Sequence, residues 1–204
     1  HMADGFARSK NGLGVVFTST GPGAANITGA LVEARFAGAS LLHITGQTAT
    51  ENLDKKQGTV HEVPNQLDML KSVSKKAFRI KNSEEALSIL VEATRCSLTP
   101  PTGPVSIEIP IDVQRSLIKK PDNIPSIKID EKTLFLGNTN SIDLIEKNIR
   151  NSERKILWIG NGAKTLKSEV KNFIHLGFAV VTSTQAKGVV DEDNKMCLGA
   201  FNAV

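Results

Sequence analysis

At 204 residues the chain has room for one large domain, or for one domain and part of another. Hydrophobic residues at 40% and charged residues at 23% exclude a collagen, a coiled coil and a mostly disordered chain. The net charge is only +4, lysines occur as pairs (Lys55-Lys56, Lys75-Lys76, Lys119-Lys120), and aromatics make up 4% with no Tyr, so neither a phosphate-tracking groove nor a base-stacking platform is expected.

The chain opens at His1-Met2 directly into Ala3 to Arg8, which reads as the last turns of a helix. Gly14 to Thr18 is a short β-branched run that predicts a buried strand ending at Gly21-Pro22-Gly23. Ala24 to Ala37 predicts a helix, with Ile27, Leu31, Val32 and Ala34 at helical spacing. Ser40 to Thr45 predicts a second strand, closed by Gly46. Residues 47 to 63 are polar and patternless, a loop of a length that is usually functional. A short helix at Asn65 to Val73 and a strand at Ala77 to Ile80 follow. Ser83 with Glu84 and Glu85 predicts a capped helix that ends before Pro100-Pro101. Val105 to Ile109 predicts a strand stopped by Pro110.

Residues 116–138 are dominated by Lys, Pro, Asp, Asn and Ser without a period, which predicts a linker. A second α/β pattern then begins. Ser141 is expected to cap a helix to about Asn151. Lys155 to Ile159 predicts a strand, Ser168 to Leu176 a helix closed by Gly177, and Phe178 to Thr182 another strand. Strands alternating with helices imply α/β architecture with parallel sheets and right-handed crossovers. The end of the chain, Leu198 to Val204, carries no predicted element. These two ends lead to the expectation that the chain is a segment of a longer protein.

Cys96 and Cys197 each sit in an apolar context and read as buried free thiols of a reducing, cytoplasmic compartment. No apolar run approaches the roughly 18 residues of a membrane span, and no signal peptide is visible at the first residues. No membrane partner is expected.

Two glycine turns could carry chemistry. Gly160-Asn161-Gly162-Ala163 follows a strand and precedes a helix, a placement that can hold phosphate. Thr165 replaces the third glycine of the dinucleotide pattern, so a structural turn competes with a nucleotide site. The turn Thr18 to Asn26 is more informative. Two glycines flank a proline of fixed φ immediately after a strand, giving a rigid corner where backbone can approach a flat ligand closely. Asn26 offers donors and an acceptor at the same corner. No Gly-Lys-Ser/Thr follows, so it is not a P-loop. Physical reasoning alone divides it between a structural corner and a ligand corner.

The stretches Ala3-Asp4-Gly5-Phe6-Ala7-Arg8 and Gly14 to Asn26 resemble the pyrimidine-binding domain of thiamine-diphosphate-dependent enzymes, in particular the acetolactate synthase and benzoylformate decarboxylase group. Ile44-Thr45-Gly46-Gln47 and Gly103 to Val113 add to the resemblance. Ile159 to Ala163 and Lys187-Gly188-Val189-Val190 resemble that family's central domain. The resemblance implies a pyrimidine-binding domain over 1–115, a linker over 116–138 and a partial Rossmann-like central domain over 139–204.

It also implies a reaction. Thiamine diphosphate, held through Mg²⁺, attacks a 2-oxo acid, carbon dioxide leaves, and the product is protonated or joined to a second carbonyl compound. Pro22 and Asn26 match positions that line the aminopyrimidine pocket, with Gly21 and Gly23 shaping the corner, and Gln47, in the same region, is either a site residue or structural. His61 falls where acetolactate synthases carry a glutamine near cofactor and substrate. A His there can donate to a carboxylate or shuttle a proton, or simply be a loop residue. The family's activating glutamate matches a position before His1, and its diphosphate and Mg²⁺ site lies in a further domain, so this segment by itself is expected to be inactive. FAD is a further cofactor that the resemblance leaves open. A homodimer or homotetramer is implied, since the family's site forms between subunits. The competing reading is a non-catalytic binding or regulatory module with the same fold. His43 and Glu108 lie mid-strand: His43 reads as a satisfied core residue, Glu108 as a carboxylate needing a partner or facing a subunit interface, and Asp112 as a turn cap.

Overall fold

The computed structural model describes residues 1–127 and 139–201. Its contacts separate two compact units, His1–Leu134 and Phe135–Val204. The predicted linker over 116–138 has no regular element through residue 127, and its remainder lies outside the described residues.

In the first unit, α1 (Met2–Lys10) leads into β1 (Gly14–Thr18), then α2 (Pro22–Asn26), α3 (Thr28–Phe36) and β2 (Leu41–Gln47). A single 3-10 turn (Thr50–Asn52), α4 (Gln66–Val73), β3 (Lys76–Arg79), α5 (Ala86–Leu98), β4 (Pro104–Pro110) and α6 (Ile111–Arg115) complete it. The four strands form one parallel sheet in the order β1-β2-β4-β3. Side chains alternate between its faces. Leu41 packs with Ala7, Leu31, Ala34 and Leu70 from α1, α3 and α4. Leu42, Val105 and Ile107 pack on the opposite side with Ala93 of α5 and Val113 of α6. Leu31, Leu41, Leu70, Ile80 and Ile107 are fully buried, each stabilising the fold by about 1.5–3 kcal/mol relative to exposure.

Several boundaries differ from the sequence-based expectation. β2 does not stop at Gly46: Gly46 and Gln47 continue the ladder with β4, opposite Ile109 and Pro110, past the point where β1 ends at Thr18. The predicted helix over Ala24 to Ala37 begins earlier, at Pro22, whose ring presets the helical φ, and is interrupted at Ile27. Ser83 does not cap α5. The Asn82 side chain accepts from the Glu85 N–H at 3.1 Å instead, and the helix starts at Ala86. Ser141 lies inside its helix rather than at the cap. The short α6 falls on a pattern too brief to register as a period.

The second unit comprises α7 (Thr139–Asn151), β5 (Lys155–Ile159), α8 (Lys167–His175), β6 (Phe178–Thr182) and β7 (Cys197–Ala200), with 3-10 turns at Asn161–Ala163 and Thr184–Ala186. Its sheet is parallel, ordered β5-β6-β7. Ile159, Val170, Val180, Ala186, Val189 and Val190 form its core. Ile156, Trp158 and Leu198 are exposed, and Trp158 meets Phe201 edge-on at 5.9 Å. β7 was not anticipated from the sequence. Both cysteines are free and half-buried. No helix among the described residues is long and apolar enough to cross a membrane.

Candidate functional site at the carboxyl edge of the first sheet

The carboxyl ends of β1, β2 and β4 lie at one edge of the sheet, since Thr18 pairs with Thr45 and Gln47 with Pro110. The chain leaves this edge through the Thr20 to Asn26 corner, through the loop before α4, and through α6. Open parallel sheets present their ligand sites at this edge.

Gly21 turns the corner at φ 62° and ψ −109°, a conformation that L side chains rarely adopt. A Cβ there would fall 2.1 Å from the His61 carbonyl oxygen. The corner is therefore built to receive the backbone of the loop that carries His61. His61 itself has φ 62° and is exposed. It stands in a turn closed by the Glu62 N–H donating to the Thr59 carbonyl at 2.8 Å and by the Thr59 N–H donating to the Glu62 carboxylate at 3.0 Å. Gly23 comes equally close to its surroundings, a Cβ there lying 2.5 Å from Ser19 Oγ. Pro22 and Asn26 are exposed on the same short helix, and the Asn26 side chain makes no hydrogen bond among the described residues.

Beneath the corner runs a buried polar network. Gln66, 1% exposed, accepts from the Gly21 N–H at 2.9 Å and donates to the Gly46 carbonyl at 3.0 Å and to Glu108 Oε2 at 3.1 Å. Gln47 Nε2 donates to the same Glu108 oxygen at 3.2 Å, while Gln47 Oε1 accepts from the Thr48 N–H at 2.8 Å. Arg79 donates to the other oxygen of Glu108. Arg79 also grips Asp54 of the loop, at 2.6 and 3.3 Å. Burial opposes the charge of Arg79, but Asp54 and Glu108 more than offset it and hold the guanidinium pKa above its usual value. The hydrogen bond from Arg79 in turn holds Asp54 below the ordinary carboxylate range. The prospect that Glu108 faces a subunit interface is thus corrected: it is fully buried and partnered within the chain.

A second buried line crosses the sheet. Thr18 Oγ1 lies 2.9 Å from His43 Nε2, and His43 Nδ1 lies 3.1 Å from Ser106 Oγ, which meets Ser74 Oγ at 2.7 Å. Burial lowers the His43 pKa to about 4. His43 is the satisfied core histidine that its mid-strand position suggests. Asp112 accepts from the Thr50 N–H at 2.9 Å and from its hydroxyl, which fastens the start of the loop and lowers the Asp112 pKa.

The structure therefore brings Gly21, Pro22, Gly23, Asn26 and the His61 backbone to one corner. Gln47 is set below it, turned towards Glu108. Sequence reasoning missed Gln66, Arg79 and Asp54. The available signal was an acid and an arginine in neighbouring buried strands, which the sheet pairs as Arg79 and Glu108. The Gly160 turn supports a phosphate less well than its sequence does. It opens a 3-10 turn, and α8 begins only at Lys167, so no helix N-terminus faces the glycines. No group of His, Cys, Asp and Glu among the described residues could hold a metal ion.

The first unit is thus an open parallel α/β sheet with a glycine-proline-glycine corner at its carboxyl edge, the edge where such sheets place their ligands. Residues 1–69 match the family described as thiamine pyrophosphate enzyme, N-terminal TPP binding domain. The chain is 30% identical to an acetolactate synthase of Arthrospira platensis, over 98% of this chain and 35% of that protein. It is 29% identical to a probable acetolactate synthase large subunit of Methanocaldococcus jannaschii, over 98% and 34%. An X-ray structure titled as a "putative thiamin diphosphate-dependent enzyme" from Mycobacterium smegmatis superposes with a TM-score of 0.80 at 22% identity, over 98% of this chain and 38% of that one. The chain belongs to the thiamine pyrophosphate enzyme family through its N-terminal domain. It spans about a third of the length of the curated relatives it matches.

Proposed function

We propose that this chain supplies the pyrimidine side of a thiamine-diphosphate site in an enzyme that decarboxylates a 2-oxo acid and joins the product to a second carbonyl compound, in the manner of an acetolactate synthase. The observation that carries this reading is the corner itself. Gly21 is shaped to the His61 backbone, and Pro22 and Asn26 stand exposed beside it. These residues fit one face of an aminopyrimidine: a rigid apolar ring edge from Pro22 and an uncommitted amide from Asn26. Gly21 and Gly23 shape the corner, and Gln47 acts from beneath through Glu108.

When bound, the cofactor supplies a carbon nucleophile and an electron sink. The chain's own part is to orient the pyrimidine, to keep the corner rigid against the loop, and to present His61 where a substrate carboxylate can accept a hydrogen bond. The diphosphate and its Mg²⁺ fall to the region that the longer relatives carry beyond this match. We assign residues 1–115 to the pyrimidine domain, 116–138 to a linker and 139–204 to the first part of a central domain. A homodimer or homotetramer follows from a site with two sides on different subunits.

The test is carbon dioxide release by the complete protein from pyruvate and longer 2-oxo acids, with thiamine diphosphate and Mg²⁺. Turnover that disappears without thiamine diphosphate supports the reading. No turnover on a broad panel, together with no binding of thiamine diphosphate, sinks it.

A further inference from the structure

We propose that Gln66 is a positioning residue for the pyrimidine side of the cofactor site, acting through the Gly21 N–H. The inference rests on the reading of the corner given above. Through Gln66 the corner, the end of β2 and the buried charge of β4 all meet. Its carbonyl oxygen accepts from Gly21 N–H at 2.9 Å and from the Thr20 hydroxyl at 3.4 Å. Its two amide hydrogens go to the Gly46 carbonyl at 3.0 Å and to Glu108 Oε2 at 3.1 Å. Every hydrogen-bonding position of the amide is used. The pattern also fixes its orientation, because Gly46 O and the carboxylate can only accept and the Gly21 N–H can only donate.

The geometry makes this more than core satisfaction. Gly21 holds a conformation of positive φ, and its neighbour Pro22 opens the helix that carries Asn26. The direction of that short helix follows from where Gly21 is held. Gln66 opens α4 directly after the loop that lays His61 on Gly21. One amide therefore sets the corner and the foot of the loop together. Glu108 needs Arg79 on its other oxygen, and Arg79 reaches on to Asp54 in the same loop. Replacing the amide by an apolar group leaves Gly21 N–H without its acceptor and removes one donor from Glu108.

The experiment compares two ligands on the complete protein: thiamine diphosphate, and the diphosphate of the thiazole alcohol alone, which lacks the pyrimidine. The ratio of their affinities reads recognition of the pyrimidine side, and the unfolding midpoint reads stability. In Gln66→Met the ratio is expected to fall about tenfold, near 1.4 kcal/mol, with the thiazole ligand binding as before. Gln66→Glu keeps an acceptor for Gly21 N–H but sets a second carboxylate against Glu108. It should be no more stable than Gln66→Met, yet hold a ratio closer to that of the parent. If Gln66→Met does not fold, Gln66→Asn, whose shorter amide withdraws from Gly21, takes its place with the same expectation.

An unchanged ratio, equal weakening of both ligands, or a ratio that simply follows stability across the variants overturns the proposal and leaves Gln66 a core residue. Failure of every variant to fold does the same. A parent protein with no preference for thiamine diphosphate overturns the pyrimidine reading itself, a result visible before any variant is compared.

Discussion

A carboxylate with no exposed surface is tolerated only when it is paired, and Glu108 has a guanidinium on one oxygen and two amides on the other. Arg79→Met should therefore destabilise the protein by about 3–5 kcal/mol, the usual cost of leaving a buried charge unpaired. The double variant with Glu108→Gln should recover a large part of that loss, as urea unfolding can measure. His43 makes a separate prediction. It stays neutral when folded down to pH about 4, whereas its unfolded value is 6.5. Between those values the unfolded state binds the extra proton, so stability falls as the pH falls. The expected loss from this one residue is about 2 kcal/mol at pH 5 relative to pH 8, and His43→Gln should flatten that part of the profile. Position alone was enough to read His43 as a core residue, since it interrupts an apolar strand. Gln66 and Arg79 were not legible, because they meet Glu108 across 42 and 29 residues of sequence. Which polar residues pair across a sheet depends on strand order, which a local pattern does not contain.

At the level of elements, the strands were legible because parallel strands read as short β-branched runs between glycines and prolines. β1, β5 and β6 match the predicted ranges residue for residue. Starts of helices were less legible. The predicted Ser83 does not cap α5: the N-cap position falls on Glu85, with no side-chain capping bond, and Asn82 accepts from the Glu85 N–H in the turn that leads into the helix. β7 was missed because Cys197–Ala200 is short, with three of its four residues exposed. The corner between β1 and α2 was legible as rigid, but not as the seat of the His61 loop. That contact makes its own prediction. In Gly21→Ala the new methyl would overlap the His61 carbonyl, at 2.1 Å, and the backbone conformation alone costs about 1–3 kcal/mol. The loop should lift away from the corner. Faster proteolysis between Lys55 and His61, with thiamine diphosphate binding weakened in step, is the outcome to look for. A variant with parent-like cleavage and binding would mean that the loop does not depend on the corner.

At the level of the whole molecule, the two units have separate cores. The clusters centred on Leu41 and on Val105 draw only on the first, and the cluster centred on Val180 only on the second. The buried part of each sheet packs within its own unit, so each unit carries its own source of cooperativity. Between α6 and residue 127 the chain forms no regular element, and Leu117, Ile118 and Ile124 lie exposed at 99%, 57% and 77%. Backbone without ladder bonds or buried side chains is where a protease cuts first. Brief trypsin treatment of this chain should therefore cleave after Lys119 (Lys120 is shielded by Pro121) before it cleaves at Arg79 or Arg95, whose elements are packed. The two products should keep their own secondary structure and unfold in separate transitions, seen by circular dichroism after separation. If the first unit loses its helical signal as soon as the chain is cut, its core depends on the second unit and the corner residues cannot be assigned to an independent domain. If it survives the cut, the scaffold under Gly21, Gln66 and Glu108 is self-sufficient, as a parallel sheet with a helix-packed cluster on each face predicts.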